Sequence, residues 1–122
     1  MAATASAVDS ELERLFETVS GYFAVLAEPT RLKILSALCD GERSVGEIVQ
    51  RVASTQINVS RHLNLMYLGG VLTRRREESM TLYAVADANV VALCRSACTH
   101  SAGLAEDQTM GSRALRRFMP KH

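Results

Sequence analysis

The sequence predicts a mainly α-helical domain closed by one small β-hairpin, and three observations predict it. Ser44-Val45-Gly46-Glu47 has the form of a capping box, in which a Ser hydroxyl and a Glu three residues on satisfy each other's orphan amides. It opens a short helix through Ile48, Val49 and Val52. A turn at Ala53-Ser54 then leads into a second helix, Gln56 to about Leu68, for which Thr55 or Ser54 can supply the N-cap. After Gly69-Gly70, the runs Val71–Arg76 and Met80–Val85 read as two strands around a charged tip, Glu77-Glu78-Ser79. Helix, turn, helix and basic hairpin, in that order, make a winged helix-turn-helix.

The remaining elements follow along the chain. Residues 1–7 are small and polar and are expected to be a flexible N-terminus. From Val8 onward, Leu12, Leu15, Phe16, Val19, Phe23 and Leu26 recur at helical spacing and predict a strongly amphipathic first helix. Glu28-Pro29-Thr30 breaks it, because Pro29 disfavours helix at the preceding residue and suits the first position of a new one. A helix from Arg31 to about Cys39 follows, with Leu32, Leu35, Leu38 and Cys39 turned inward and Asp40-Gly41 ending it. Beyond the hairpin, Asp87 can cap a last helix reaching about Gly103, with Val90, Cys94, Ala97, Cys98 and Ser101 on one small-residue stripe. The domain is thus read as 8–103, and 104–122 as a polar tail containing Arg113, Arg116, Arg117 and Lys121. The first and last helices carry more apolar surface than so small a domain needs, which suggests that they pair two subunits.

At 122 residues and 48% apolar content the chain supports one aliphatic core. No run approaches the roughly 18 uncharged apolar residues of a membrane span, and no signal-peptide order opens the chain, so a cytoplasmic protein without membrane partners is expected. Its charge of +1 conceals a segregation. Residues 1–50 hold four basic side chains against eight acidic ones, whereas 51–76 hold five (Arg51, Arg61, Arg74, Arg75, Arg76) and no acid. A basic stretch on a helix-turn-helix and its hairpin is the footprint of a nucleic-acid face. The first turns of the second helix of the motif would enter the major groove. Ile57, Leu63, Met66 and Tyr67 are read as its core side. The candidate DNA contacts are Thr55, Gln56, Asn58, Ser60, Arg61 and His62 on the helix, and Arg74, Arg75 and Arg76 on the hairpin.

These segments together resemble the ArsR/SmtB family of bacterial metal- and thiol-responsive repressors. The resemblance covers roughly 19–103 and rests on Leu26-Ala27-Glu28-Pro29-Thr30-Arg31-Leu32-Lys33-Ile34-Leu35, Ser44-Val45-Gly46-Glu47-Ile48 and Asn58-Val59-Ser60-Arg61-His62-Leu63-Asn64. It continues through Gly69-Gly70-Val71-Leu72 and Arg74-Arg75-Arg76 to Leu82-Tyr83. It implies a homodimer formed by the first and last helices, binding an imperfectly palindromic operator until an inducer loosens the grip. The family's arsenic-type site needs cysteines where this chain has Glu42-Arg43-Ser44-Val45-Gly46-Glu47-Ile48, and it is absent. For the zinc-type site Asp87 and His100 match, but Asn89 and Gly103 stand where a His and an acid belong, so a tetrahedral set is not closed. The acidic tip also departs from the family's glycine-containing one.

Cys94 and Cys98 remain, four residues apart on the last helix, with Cys39 in the second. Two readings stay open: packing, since free cysteine is a small buried apolar residue, and sensing of a thiophilic inducer. Residues four apart have Cβ atoms about 5–6 Å apart, whereas a disulfide wants roughly 3.5–4.5 Å. A bridging metalloid, soft metal or extra sulfur spans that gap better than a direct bond, with Cys39 or the partner as a third ligand. No cofactor is otherwise implied. A small thiol enzyme is the contrasting class, but Cys98 and His100 are two apart on one helix and point to different sides. A protein-binding scaffold is the third class, and the acid-free basic stretch argues against it.

Overall fold

The computed structural model describes residues 6–104, so the expected N-terminal segment up to residue 5 and the basic-ended tail from residue 105 lie outside it. Five helices and three short strands follow in the order α1 (Ala7–Leu26), α2 (Pro29–Leu38), β1 (Arg43–Ser44), α3 (Val45–Val52), α4 (Gln56–Leu68), β2 (Leu72–Glu77), β3 (Met80–Val85) and α5 (Ala88–Leu104). The helix boundaries are written in side-chain chemistry. Ser6 caps α1 by accepting from the Asp9 amide, so the helix starts at Ala7, one residue earlier than the Val8 expected. Glu28 caps α2, its Oε1 accepting from the Thr30 and Arg31 amides, with Pro29 at the first position. The capping box forms as expected, Ser44 and Glu47 each accepting the other's amide. Thr55 caps α4 through the Asn58 amide.

β1 is an element the periodicity did not reveal. Its two residues pair antiparallel with β3, Arg43 opposite Tyr83 and Ser44 opposite Leu82, so the sheet order is β1-β3-β2. The hairpin β2–β3 runs in register from Leu72–Val85 to Glu77–Met80. Its tip is therefore the two residues Glu78-Ser79, with Glu78 at φ 57°.

The core gathers Ile34, Leu35 and Leu38 of α2, Ile48 and Val52 of α3, Val59, Leu63 and Met66 of α4, Val71, Leu72 and Tyr83 around the hairpin, and Val90 and Cys94 of α5. Ile34 and Ala37 join Leu35 and Leu38 on the inner side of α2, while Leu32 and Cys39 are only half-buried. Cys39 sits at the C-cap of α2, where the chain is already turning away from the core stripe. α1 is held mainly by its last turn, Leu26 being buried and Tyr22 and Val25 packing against the core. A Cβ placed on Gly69 would lie 2.8 Å from Val25 Cγ2, so the end of α4 approaches α1 at a distance only glycine permits. Val8, Leu12, Leu15, Phe16, Val19 and Phe23 remain exposed, as do Leu93 and Leu104 of α5.

Candidate nucleic-acid interface

α3 and α4 meet at Ala53, whose backbone adopts the left-handed conformation at φ 53°, and this sharp turn presents the N-terminus of α4 to solvent. Val59, Leu63 and Met66 form the inner spine of α4. Gln56, Ser60, Arg61 and Asn64 stand on the outside, exposed. Two expectations about this helix are corrected. Ile57, read as a core residue, is 85% exposed. It lies two residues before Val59, about 200° around the helix from the buried spine. His62, read as a DNA contact, is only 7% exposed.

His62 is instead clasped by the start of α2. Its Nδ1 accepts from Arg31 Nε at 3.2 Å, and its Nε2 lies 3.9 Å from Glu28 Oε2. Arg31 also donates from Nη1 to the carbonyls of Ala24 and Val25, at 3.2 and 3.0 Å. One guanidinium thus ties the end of α1 to the recognition helix. Burial raises the Glu28 carboxyl, but the amides of Thr30 and Arg31, with His62 and the Arg31 guanidinium nearby, outweigh it and hold the group below the ordinary value.

A second relay orders the exposed end of α4. Arg61 Nη2 donates to Asn58 Oδ1 at 2.6 Å, and Asn58 Nδ2 donates to Ser54 Oγ at 2.9 Å. Asn58 is half-buried and its amide is occupied on both sides, so its role is to aim Arg61. Ser54, expected as a turn residue or an alternative N-cap to Thr55, instead anchors this relay.

The three arginines of β2 divide by the alternation of the strand. Arg74 and Arg76 share the face of Leu72 and Tyr83, and the Arg74 guanidinium stacks 3.9 Å from the centre of the Tyr67 ring on α4. Hydrogen bonding to Tyr83, reinforced by Tyr67, raises the Arg74 pKa further. Arg75 points to the other face, where Nε donates to Glu42 Oε2 at 3.1 Å, Nη2 reaches the second oxygen, and Glu77 lies 3.6 Å away. Its charge is already matched within the fold. Of the arginines expected at the interface, Arg61, Arg74 and Arg76 have no carboxylate partner among the described residues.

The cysteines do not assemble into one cluster. Cys94 is buried at 5% exposure and belongs to the core of its own subunit, not to an open stripe facing a partner. Burial, with the nearby Cys98, pushes its pKa up. Cys98 is half-buried against the same core. Cys39 instead lines a shallow cavity of about 430 Å³ with Glu42, Asp87, Val91 and Arg95, and burial raises its pKa too. Among the described residues no group of three or more His, Cys, Asp and Glu side chains could hold a metal ion, so Cys39 does not complete a site with the other two. Asp87 accepts from the Asn89 amide at the start of α5, as an N-cap does. No described helix is long and apolar enough to cross a membrane.

Comparison with known proteins agrees with this fold. Residues 28–72 match the model of the arsR family of bacterial regulatory proteins. A probable mercury resistance operon repressor of Streptomyces lividans is 36% identical over 77 residues, which are 63% of this chain and 62% of that one. The HTH-type transcriptional regulator Rv0081 of Mycobacterium tuberculosis is 32% identical over 84 residues, 68% of this chain and 74% of that one. Its crystal structure superposes with a TM-score of 0.69, covering 78% of this chain and 96% of that one at 29% identity. The homodimeric winged helix-turn-helix DNA-binding domain of a possible regulator from Mycobacterium bovis superposes with a TM-score of 0.64 at 29% identity, covering 76% and 82%.

Proposed function

This chain belongs to the ArsR family of bacterial regulatory proteins, and from that premise we propose that it is a homodimeric repressor of transcription acting in the cytoplasm. Regulators of this family are not enzymes, which sets aside the thiol-enzyme reading. The observation that carries the proposal is the exposed outer side of α4, with Gln56, Ser60 and Arg61, beside a wing whose Arg74 stacks on Tyr67 of the same helix. Phosphate contacts by the arginines would fix register, and the first turns of α4 would read base edges in the major groove. The exposed apolar face of α1, with Leu93 and Leu104 of α5, supports a two-fold dimer, and the M. bovis relative is homodimeric. In such a dimer the two recognition helices lie about 34 Å apart and match an imperfect palindrome.

The inducer in this reading is thiophilic, a reactive sulfur species, As(III) or a soft metal ion, acting at Cys94 and Cys98. Because Cys94 is buried and its pKa raised, the resting state is a neutral thiol inside the core. Reaction there must open the contact between α5 and the rest of its subunit, and that disturbance is the coupling to DNA. An inducer favouring the open state about a hundredfold would supply roughly 2.7 kcal/mol. The competing reading, that the cysteines only pack, is supported by the membership of Cys94 in the core cluster.

Gel-shift titration of the full chain on its own promoter tests repression first. A salt-dependent complex is expected, and no complex at micromolar protein would overturn the reading. The Cys94→Ser/Cys98→Ser variant is then challenged with As(III), Cd(II), Cu(I) and polysulfide. Release of the parent but not the variant supports the sensor; equal release of both leaves the cysteines as packing.

A further inference from the structure

The most exposed large apolar side chain among the described residues is Ile57, at the second position of the recognition helix. Its immediate neighbours on the outer face are Ser60 and Arg61, three and four residues on, and Gln56 stands beside it. α4 packs chiefly on α2, α3 and β2, and it is its Gly69 end, not this tip, that approaches α1. No fold contact accounts for an isoleucine at this position. Single exposed apolar residues are common on protein surfaces, but this one projects from the first turn of the helix, among the side chains that would meet base edges. In a major groove the apolar feature available to it is the 5-methyl group of thymine, which polar side chains recognise poorly and apolar ones cover well.

We propose that Ile57 is a specificity-determining residue that packs on a thymine methyl in each half-site of the operator. The proposal rests on the DNA-binding reading above and adds the base that the helix selects. Three neighbours divide the remaining work. Gln56 and Ser60 offer hydrogen bonds to adjacent base edges, and Arg61, aimed by Asn58, holds the backbone. Ile57 carries no charge, so its contact contributes selectivity without adding to the salt dependence of binding.

The test removes the methyl from the DNA and the side chain from the protein in one cycle. Duplexes bound by the full chain are recovered from a random 30-base-pair library, and the enriched sequence is resynthesised with deoxyuridine for thymidine at single positions. Burial of one methyl corresponds to about 0.8 kcal/mol, so the expected loss is about fourfold in Kd at one thymine per half-site. Ile57→Ala should bind the thymidine duplex more weakly and show no further loss on deoxyuridine substitution at that position. Its salt slope should equal that of the parent, and its circular dichroism should be unchanged because the side chain is exposed. If the parent tolerates deoxyuridine at every position, or if Ile57→Ala loses as much as the parent, the assignment of Ile57 is overturned while DNA binding stands. If no duplex is enriched at all, the DNA-binding reading fails and takes this one with it.

Discussion

At the scale of single residues, the wing and the recognition helix separate arginines that look alike in the sequence. Arg61 is held by Asn58 and faces outward, so Arg61→Ala should lower the salt slope of operator binding by about one unit. Arg75 is spent on Glu42, so Arg75→Ala should leave that slope almost unchanged, whereas Arg74→Ala, losing its place on Tyr67, should reduce it. Salt titrations of the three variants on one duplex separate these outcomes, and equal slopes for Arg74→Ala and Arg75→Ala would contradict the division of faces. Glu78 offers a change in the opposite direction. A left-handed backbone costs a non-glycine residue roughly 1–2 kcal/mol, and Asn tolerates it better than Glu. Glu78→Asn should therefore raise stability by about 0.5 kcal/mol in urea titration and tighten DNA binding by removing a negative charge from the wing tip. Cys94 makes the remaining residue-scale prediction. Its raised pKa means that the folded protein holds the proton, and the thiolate appears only as pH climbs beyond the ordinary 9.0. Mass-spectrometric mapping of iodoacetamide labelling should find Cys94 slow near neutrality, and faster in the chain unfolded by urea.

At the scale of elements, what could be read in advance was whatever depends on neighbours in the chain. The capping box, the Thr55 cap, the break before Pro29 and the alternation of the hairpin are all local, and they stand where the spacing placed them. The misread residues depend on partners far along the chain. His62 is buried where Arg31 donates to its Nδ1 and Glu28 lies beside its Nε2, the first of these a contact across 31 residues that no periodicity reports. Ile57 is apolar and so reads as a core residue, although the buried spine Val59-Leu63-Met66 runs along the other side of the helix. β1 escaped because two residues carry no pattern, and only pairing with β3 defines them. The capping box yields an element-scale expectation. Ser44→Ala should cost about 1 kcal/mol in chemical denaturation by exposing the first amides of α3, with the slope of the transition unchanged.

At the scale of the whole molecule, acid stability follows from three carboxylates. Hydrogen bonding from Arg75 lowers Glu42, the Ser44 amide lowers Glu47, and at Glu28 the capped amides and nearby charges overcome the upward push of burial. A carboxylate with a depressed folded pKa stabilises the fold above its unfolded value and loses that contribution as pH falls through the folded one. The melting temperature should therefore stay level from neutrality to about pH 5, then decline below the ordinary glutamate value of 4.5. Glu28→Gln should flatten that decline, and a melting temperature independent of pH down to 3 would contradict it.

The long α1 is fastened to the rest of the fold at one end only, through Leu26, Tyr22 and Val25, while Val8 through Phe23 present large side chains to the outside. Such a helix has little reason to persist alone, because amphipathic helices draw most of their stability from the surface they cover. In the proposed dimer its survival becomes a matter of concentration: dilution should fray it from the N-terminus, and a protease should cut between Leu12 and Phe23 before it cuts within the other described elements. Abundance would then set lifetime. A chain made in excess finds a partner and is preserved, and one made too sparingly is cleared, so the quantity of repressor in the cell would be regulated by the same helix that assembles it.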